Sequence, residues 1–184
     1  MLIIKENNRI YMIESTYFYS EYARQDQALV EENMPVFKAC KSKVLIGGRS
    51  LPALEAIRYL HLPFSSELSE NALVSKVVPR MRDVWEELGR LDEDGEIWEI
   101  AFADKDKVFV TSSNGAIREI AKEEAIGLQD DHLRYALAVT QELPFAERIQ
   151  EIYKIVGRIM EINLFPIIVM DSVTFKLQII EEKK

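Results

Sequence analysis

The sequence predicts an α+β fold in four layers, an αββα sandwich of two antiparallel sheets face to face with helices covering each on the outside. Three observations carry this. Groups of β-rich runs alternate along the chain with pairs of amphipathic helical stripes. The runs are joined by tight turns, which antiparallel neighbours can use and parallel ones cannot. No linker, repeat or low-complexity stretch divides the 184 residues, so one domain, 1–184, is expected.

The first group opens with Leu2-Ile3-Ile4 and Ile10-Tyr11-Met12-Ile13. Asn7-Asn8 between them tolerates the positive φ of a hairpin turn. Thr16-Tyr17-Phe18-Tyr19 has strand propensity, and the polar stretch from Ala23 to Met34 reads as a loop or short helical excursion. Val36 to Cys40 and Lys43 to Gly48 form a second strand pair around Lys41-Ser42, the latter run apolar enough for burial on both faces.

Two helices follow. Ser50 caps the first, with Pro52 in its first turn and Leu54, Ile57 and Leu60 on one face. Ser66 or Ser69 caps the second, whose stripe is Leu73, Val77, Val78, Met81, Val84, Trp85 and Leu88. Pro79 lies inside that stripe and is expected to kink the helix or divide it, and Gly89 to stop it.

A meander of three strands comes next: Ile97 to Ala103, Val108 to Val110, and Ala116 to Ile120. Ser113-Asn114-Gly115 is the strongest hairpin signal in the chain. Asp130 or Asp131 then caps a helix carrying Leu133, Ala136, Leu137 and Val139. Pro144 opens another, with Ala146, Ile149, Ile152, Tyr153, Ile155, Val156, Ile159 and Met160 on its buried side. Pro166 to Met170 and Val173 to Leu177 are predicted to close the fold as a strand pair, leaving a frayed tail from Glu181 to Lys184.

Composition limits function. The chain is 48% hydrophobic and 29% charged, which suits a folded core rather than disorder. Its net charge of -8 has the wrong sign for displacing counterions from nucleic acid or docking on anionic lipid, so neither partner is expected. Cys40 is the single cysteine and reads as a small core residue in a reducing compartment. Lys5 and Glu6 interrupt the apolar start, so no signal peptide is expected, no run reaches membrane-spanning length, and the expected location is the cytoplasm.

Few residues offer chemistry. His61 and His132 are the only histidines, too few for a His-rich metal site, and each reads as a helix-end or surface residue. Gly47-Gly48 before Ser50 lacks the lysine and spacing of a phosphate-binding loop and reads as a strand-to-helix turn. Asp92, Glu93, Asp94 and Glu96 do not match a calcium-loop spacing and read as a solvated turn. Trp85, Trp98, Tyr153 and Phe165 sit on apolar stripes as core residues. No metal or cofactor is therefore expected.

In order along the chain, Asn8 to Ile13, Lys43 to Gly48, Ala53 to Ile57, Val108 to Val110 with Ser113-Asn114-Gly115, and Glu124 to Thr140 resemble segments of the proteasome β-subunit family, and most nearly the bacterial ATP-dependent proteasome-like peptidase, which has the N-terminal-nucleophile hydrolase fold. Asn8-Arg9-Ile10-Tyr11-Met12-Ile13 is similar to that family's second strand, Lys43 to Gly48 to its glycine-ended strand, and Ala53 to Ile57 to the start of its first helix. Val108-Phe109-Val110 with Ser113-Asn114-Gly115, then Glu124 to Gln129 and Asp130 to Thr140, resemble the approach to its third helix and that helix itself. Members usually carry Gly-Ser-Gly where this chain has Gly127-Leu128-Gln129.

The resemblance implies an N-terminal threonine nucleophile whose own α-amine acts as base, tuned by an aspartate and a lysine. Matched segment by segment, those three positions fall at Met1, Ser15 and Pro35, and none holds the required residue, although Lys38 is near the last. The expected catalytic set is thus empty. The resemblance then implies a subunit without peptidase activity, working through assembly as a homo-oligomer or beside a paralogous subunit, or through binding a peptide or small ligand. The alternative is an N-terminal-nucleophile peptidase or amidohydrolase processed after Glu14, exposing Ser15 or Thr16 as nucleophile.

Overall fold

A two-residue turn sets the first hairpin. Asn7 and Asn8 both take left-handed backbone, at φ 50° and 57°, and join β1 (Leu2–Glu6) to β2 (Arg9–Ser15). Glu6 consequently lies opposite Arg9, and Leu2 opposite Ile13. A computed structural model describes residues 1–15, 37–39, 44–48, 68–87, 99–112, 114–127 and 130–182. The expectations for Thr16 to Met34, the Lys41-Ser42 turn, the helix from Pro52 to Leu60, Gly89, and the acidic turn from Leu91 to Gly95 lie outside these residues, as do those for Cys40, His61, Glu96 and Trp98.

The remaining strands are β3 (Phe37–Ala39), β4 (Leu45–Gly48), β5 (Glu99–Ala103), β6 (Val108–Ser112), β7 (Ile117–Glu119), β8 (Glu123–Ala125), β9 (Ile167–Asp171) and β10 (Leu177–Ile180). They form two five-stranded antiparallel sheets, in the orders β10-β9-β2-β1-β8 and β3-β4-β5-β6-β7. The first will be called sheet A and the second sheet B.

Alternation along each strand divides the apolar residues among three layers. Between the sheets, Met1, Ile3, Ile10 and Met12 meet Leu45, Ala101, Ala103 and Val110. On the outer face of sheet A, Leu2, Ile4, Ile13 and Val169 pack on two helices, α2 (Asp130–Val139) and α3 (Phe145–Met160), through residues such as Leu133, Ala136, Ile152 and Val156. On the outer face of sheet B, Ile46, Ile100, Phe102 and Phe109 pack on Leu73, Val77, Met81 and Val84. The four-layer αββα sandwich expected from the element order is the observed architecture. Each fully buried Ile or Leu contributes about 1.5–3 kcal/mol, so three such layers dominate the stability.

The helix on sheet B, α1 (residues 70–87), continues past the proline expected to kink or divide it. It starts at Ser69, whose hydroxyl accepts from the Ala72 amide at 3.2 Å. It then runs without a break through Glu70–Ala72, a π segment Leu73–Val77, and an α segment Val78–Glu87. Pro79 does not divide it. Proline lacks an N–H and its ring crowds the carbonyl four residues back, and the wider π segment just before it spreads the turn where that crowding falls. The same widening leaves Val78 only half-buried.

On α2 and α3 the predicted stripes hold at Leu133, Ala136, Leu137, Ile149, Ile152, Tyr153 and Val156. Val139, Ala146 and Ile159 turn out to be exposed, and Arg148 is buried instead. Glu161, at φ 56°, ends α3 and returns the chain so that Ile162 donates to the Gly157 carbonyl at 3.0 Å. A Cβ at Gly157 would stand 2.7 Å from the Ile162 carbonyl oxygen. Gly157→Ala is therefore expected to lose about 1–2 kcal/mol in chemical denaturation, since crowding against backbone outweighs the gain in helix propensity. A gain in stability would show that the loop gives way.

The closing pair is also shifted. Strand β10 begins at Leu177, not Val173, because Asp171 turns the chain first. Its carboxylate accepts from the Val173 and Thr174 amides at 2.9 and 2.8 Å and from the Thr174 hydroxyl, with Arg9 at 3.9 Å. Burial alone would raise this carboxyl, but the Thr174 and Val173 bonds hold it below its ordinary value. A carboxyl depressed on folding adds stability that is present above about pH 4 and is lost as pH falls through the folded value. Asp171→Asn should lower stability at neutral pH and flatten the acid limb of a pH–stability profile. An acid limb as steep as that of the parent would assign the acid sensitivity elsewhere.

Candidate functional site

The register of the first hairpin brings a chain terminus and a carboxylate together between the sheets. Because Leu2 lies opposite Ile13, Met1 lies opposite Glu14. Met1 is also held on its other side by Ile126, next to β8: its ammonium donates to the Ile126 carbonyl at 2.9 Å and its carbonyl accepts from the Ile126 amide at 2.9 Å. The same ammonium stands 3.0 Å from Glu14 Oε2, and both residues are fully buried. Glu14 Oε1 accepts from the Ser15 amide at 2.8 Å.

Alternation separates Glu14 from its neighbour. Glu14 shares the inner face of β2 with Ile10 and Met12, whereas Ser15 shares the outer face with Tyr11 and Ile13. The Ser15 hydroxyl donates to the Leu164 carbonyl at 2.6 Å, on the helical side. Tyr153 of α3 donates to the Ile13 carbonyl at 2.9 Å nearby, from a buried ring. So the structure brings Met1 together with Glu14, and turns Ser15 the other way. Pro35, Lys38 and Thr16 lie outside the residues whose side chains are described.

Segment matching points to Ser15 for the acid that the resemblance implies, and the structure places Glu14 against Met1. The signal was available: a two-residue turn at Asn7-Asn8 pairs residues whose numbers sum to fifteen, which selects Glu14 for Met1.

A second charged group supports the far side of the site. Arg118 of β7, in sheet B, contacts Glu124 of β8, in sheet A, at 2.5 Å and Glu99 of β5 at 2.7 Å. Glu99 also accepts from the Gly127 amide at 3.2 Å, next to the Ile126 carbonyl that receives the Met1 ammonium. Burial alone would lower the Arg118 pKa, but Glu124 and Glu99 raise it above its ordinary value. Arg134 adds contacts to Asp130 at 2.9 Å and Glu124 at 3.9 Å. Glu99, Arg118, Glu123, Glu124 and Arg134 line an open cavity with Gln141, and these charges are matched against one another. Among the described residues no three His, Cys, Asp or Glu side chains gather in a metal-binding set. His132 lies half-buried in the first turn of α2. No helix among the described residues is long and apolar enough to cross a membrane.

Chemically, the site offers an ammonium already bonded to a carboxylate and a carbonyl, on a residue whose side chain is a thioether. An α-amine acting as general base must be free to take a proton from an adjacent hydroxyl or thiol. Met1 has no such group.

Two sheets face to face, with a helical layer outside each, make this a four-layer αββα sandwich with the Met1 amine between the sheets. Two solved structures share this fold over nearly their whole length. One is Thiobacillus denitrificans BPH in complex with epoxomicin, 16% identical with a TM-score of 0.56, the match covering 100% of this chain and 98% of that one. Another is Thiobacillus denitrificans BPH, 16% identical with a TM-score of 0.57, covering 92% of this chain and 95% of that one. No family model matches the chain, and no curated protein matches it. At 16% identity the likeness establishes a common fold.

Proposed function

We propose that this protein is a non-catalytic subunit of proteasome-like architecture that acts by assembly, with copies of itself or with a paralogous subunit, rather than by hydrolysing peptides. One observation carries the reading: at the strand start where the resemblance implies a nucleophile, Met1 presents a thioether, and its amine is engaged with Glu14 in a fully buried pair. The chemistry of the fold's hydrolases needs a hydroxyl or thiol on the residue that carries the amine.

The processed alternative meets a physical obstacle. Cleavage after Glu14 would remove all of β1 and all of β2 except Ser15. Those two strands lie inside sheet A and supply Ile3, Ile10 and Met12 to the layer between the sheets.

Intact-mass measurement before and after incubation with epoxomicin, the ligand of the similar BPH structure, tests the reading. The expected result is one species starting at Met1, unchanged by the inhibitor. Loss of the residues before Ser15, or a covalent adduct, would overturn it.

A further inference from the structure

Sheet A ends in β10, and among the described residues no strand pairs with its outer side. An edge strand leaves backbone N–H and C=O groups open to another chain, and proteins blunt such edges with proline, inward charges or bulges. The strand Leu177-Gln178-Ile179-Ile180 carries neither proline nor charge. Leu177 and Ile179 are instead 47% and 61% exposed. They lie on one face, opposite Met170 and Ile168 of β9, while Ile180 on the other face packs with the helical layer.

The flanking charges are self-complementary. Lys176 precedes the strand, and Glu181 and Glu182 follow it, all exposed. A parallel copy would set like charge against like. An antiparallel copy centred on Ile179 sets Lys176 of each chain opposite Glu182 of the other, forming the ion pair twice. In that register Ile179 meets its own counterpart, with Leu177 as its diagonal neighbour, and a two-fold axis normal to the sheet keeps these exposed side chains on one face. Shifting the pairing by two residues brings Lys176 opposite Ile180 and loses both ion pairs.

We infer that β10 is an assembly edge, pairing antiparallel with β10 of a second copy in the register that sets Lys176 against Glu182, so that sheet A continues across a two-fold axis. This rests on the assembly reading above and names its surface.

Light scattering across a dilution series of the full chain tests it. The parent should form a dimer, or a larger assembly built of dimers. Ile179→Lys should dissociate that contact while leaving the circular-dichroism spectrum unchanged. Lys176→Glu should weaken it by about ten-fold or more, by turning two attractive pairs repulsive. Combining Lys176→Glu with Glu182→Lys should restore it. An assembly indifferent to all three variants would overturn the β10 contact and leave the assembly reading standing. A monomer at every concentration would sink both.

Discussion

Glu14→Ala loses about 3–5 kcal/mol in urea denaturation at neutral pH, with an unchanged denaturant slope. The size follows from what is removed: the Met1 ammonium, fully buried and 3.0 Å from the deleted carboxylate, keeps its bond to Ile126 but loses this countercharge. The substitution also leaves space between the sheets, which adds to the loss. Typical domains are stable by only 5–15 kcal/mol, so the variant should be near its limit at 37 °C. Glu14→Gln is a milder companion. It can still accept from the Ser15 amide, as Oε1 does at 2.8 Å, and should lose less than the alanine variant. A residue fused ahead of Met1 should destabilise comparably, since it replaces the ammonium with an amide and forces chain into a filled layer. Losses below about 1 kcal/mol for all three would place the pair in contact with water and remove its structural role.

The second large effect lies on α3. Arg148 is buried and grips both carboxylate oxygens of Glu123 on β8, at 2.8 and 3.0 Å, and donates to the Leu137 carbonyl at 3.1 Å. One residue thus joins α3, α2 and the edge strand of sheet A. Arg148→Met is expected to cost about 3–5 kcal/mol, because Glu123 is left as a largely buried charge with no partner. The contrast is with the double variant Arg148→Met, Glu123→Leu. Removing both charges also removes the desolvation penalty, so the double variant should recover most of the single variant's loss. Equal stability of the single and double variants would mean that the guanidinium acts through its Leu137 bond and its packing, not through Glu123.

Much of this architecture was legible from local chemistry. Asn7-Asn8 and Asn114-Gly115 announced their turns because few residues accept the backbone they require, with Gly115 at φ 82°. The buried faces of α2 and α3 followed from spacing at Leu133, Leu137, Ile149, Ile152 and Val156, where one side of each helix meets a sheet. Strand β8 was not legible. Glu123-Glu124-Ala125 has no alternation and low strand propensity, and it is extended because β1 pairs with it and because Arg148 and Arg118 neutralise its acids. Pro79 was expected to kink the helix or divide it; the helix continues, with a π segment where the ring's crowding falls.

The candidate site divides in the same way. That Met1 lacks a nucleophile was readable at once. The partner of its amine was less legible: segment matching points to Ser15, while Glu14 is the side chain that reaches Met1. In a strand one residue reverses the face, and the hairpin register, not the alignment, decides which side chain reaches the terminus. Val139 and Ile159 show the opposite limit. Apolar type alone put them on the buried stripes, yet they face outward, since a helix against one sheet buries only part of its circumference.

The measurement that bears most directly on the central claim is peptide hydrolysis by the purified full-length chain, followed by mass spectrometry over a broad peptide mixture. With Met1 engaged by Glu14 and carrying a thioether in place of a hydroxyl or thiol, the expected result is no cleavage above a buffer control. Cleavage that travels with the protein through purification and disappears when the α-amine is chemically blocked would contradict it, and would make the Met1 and Glu14 pair a working site.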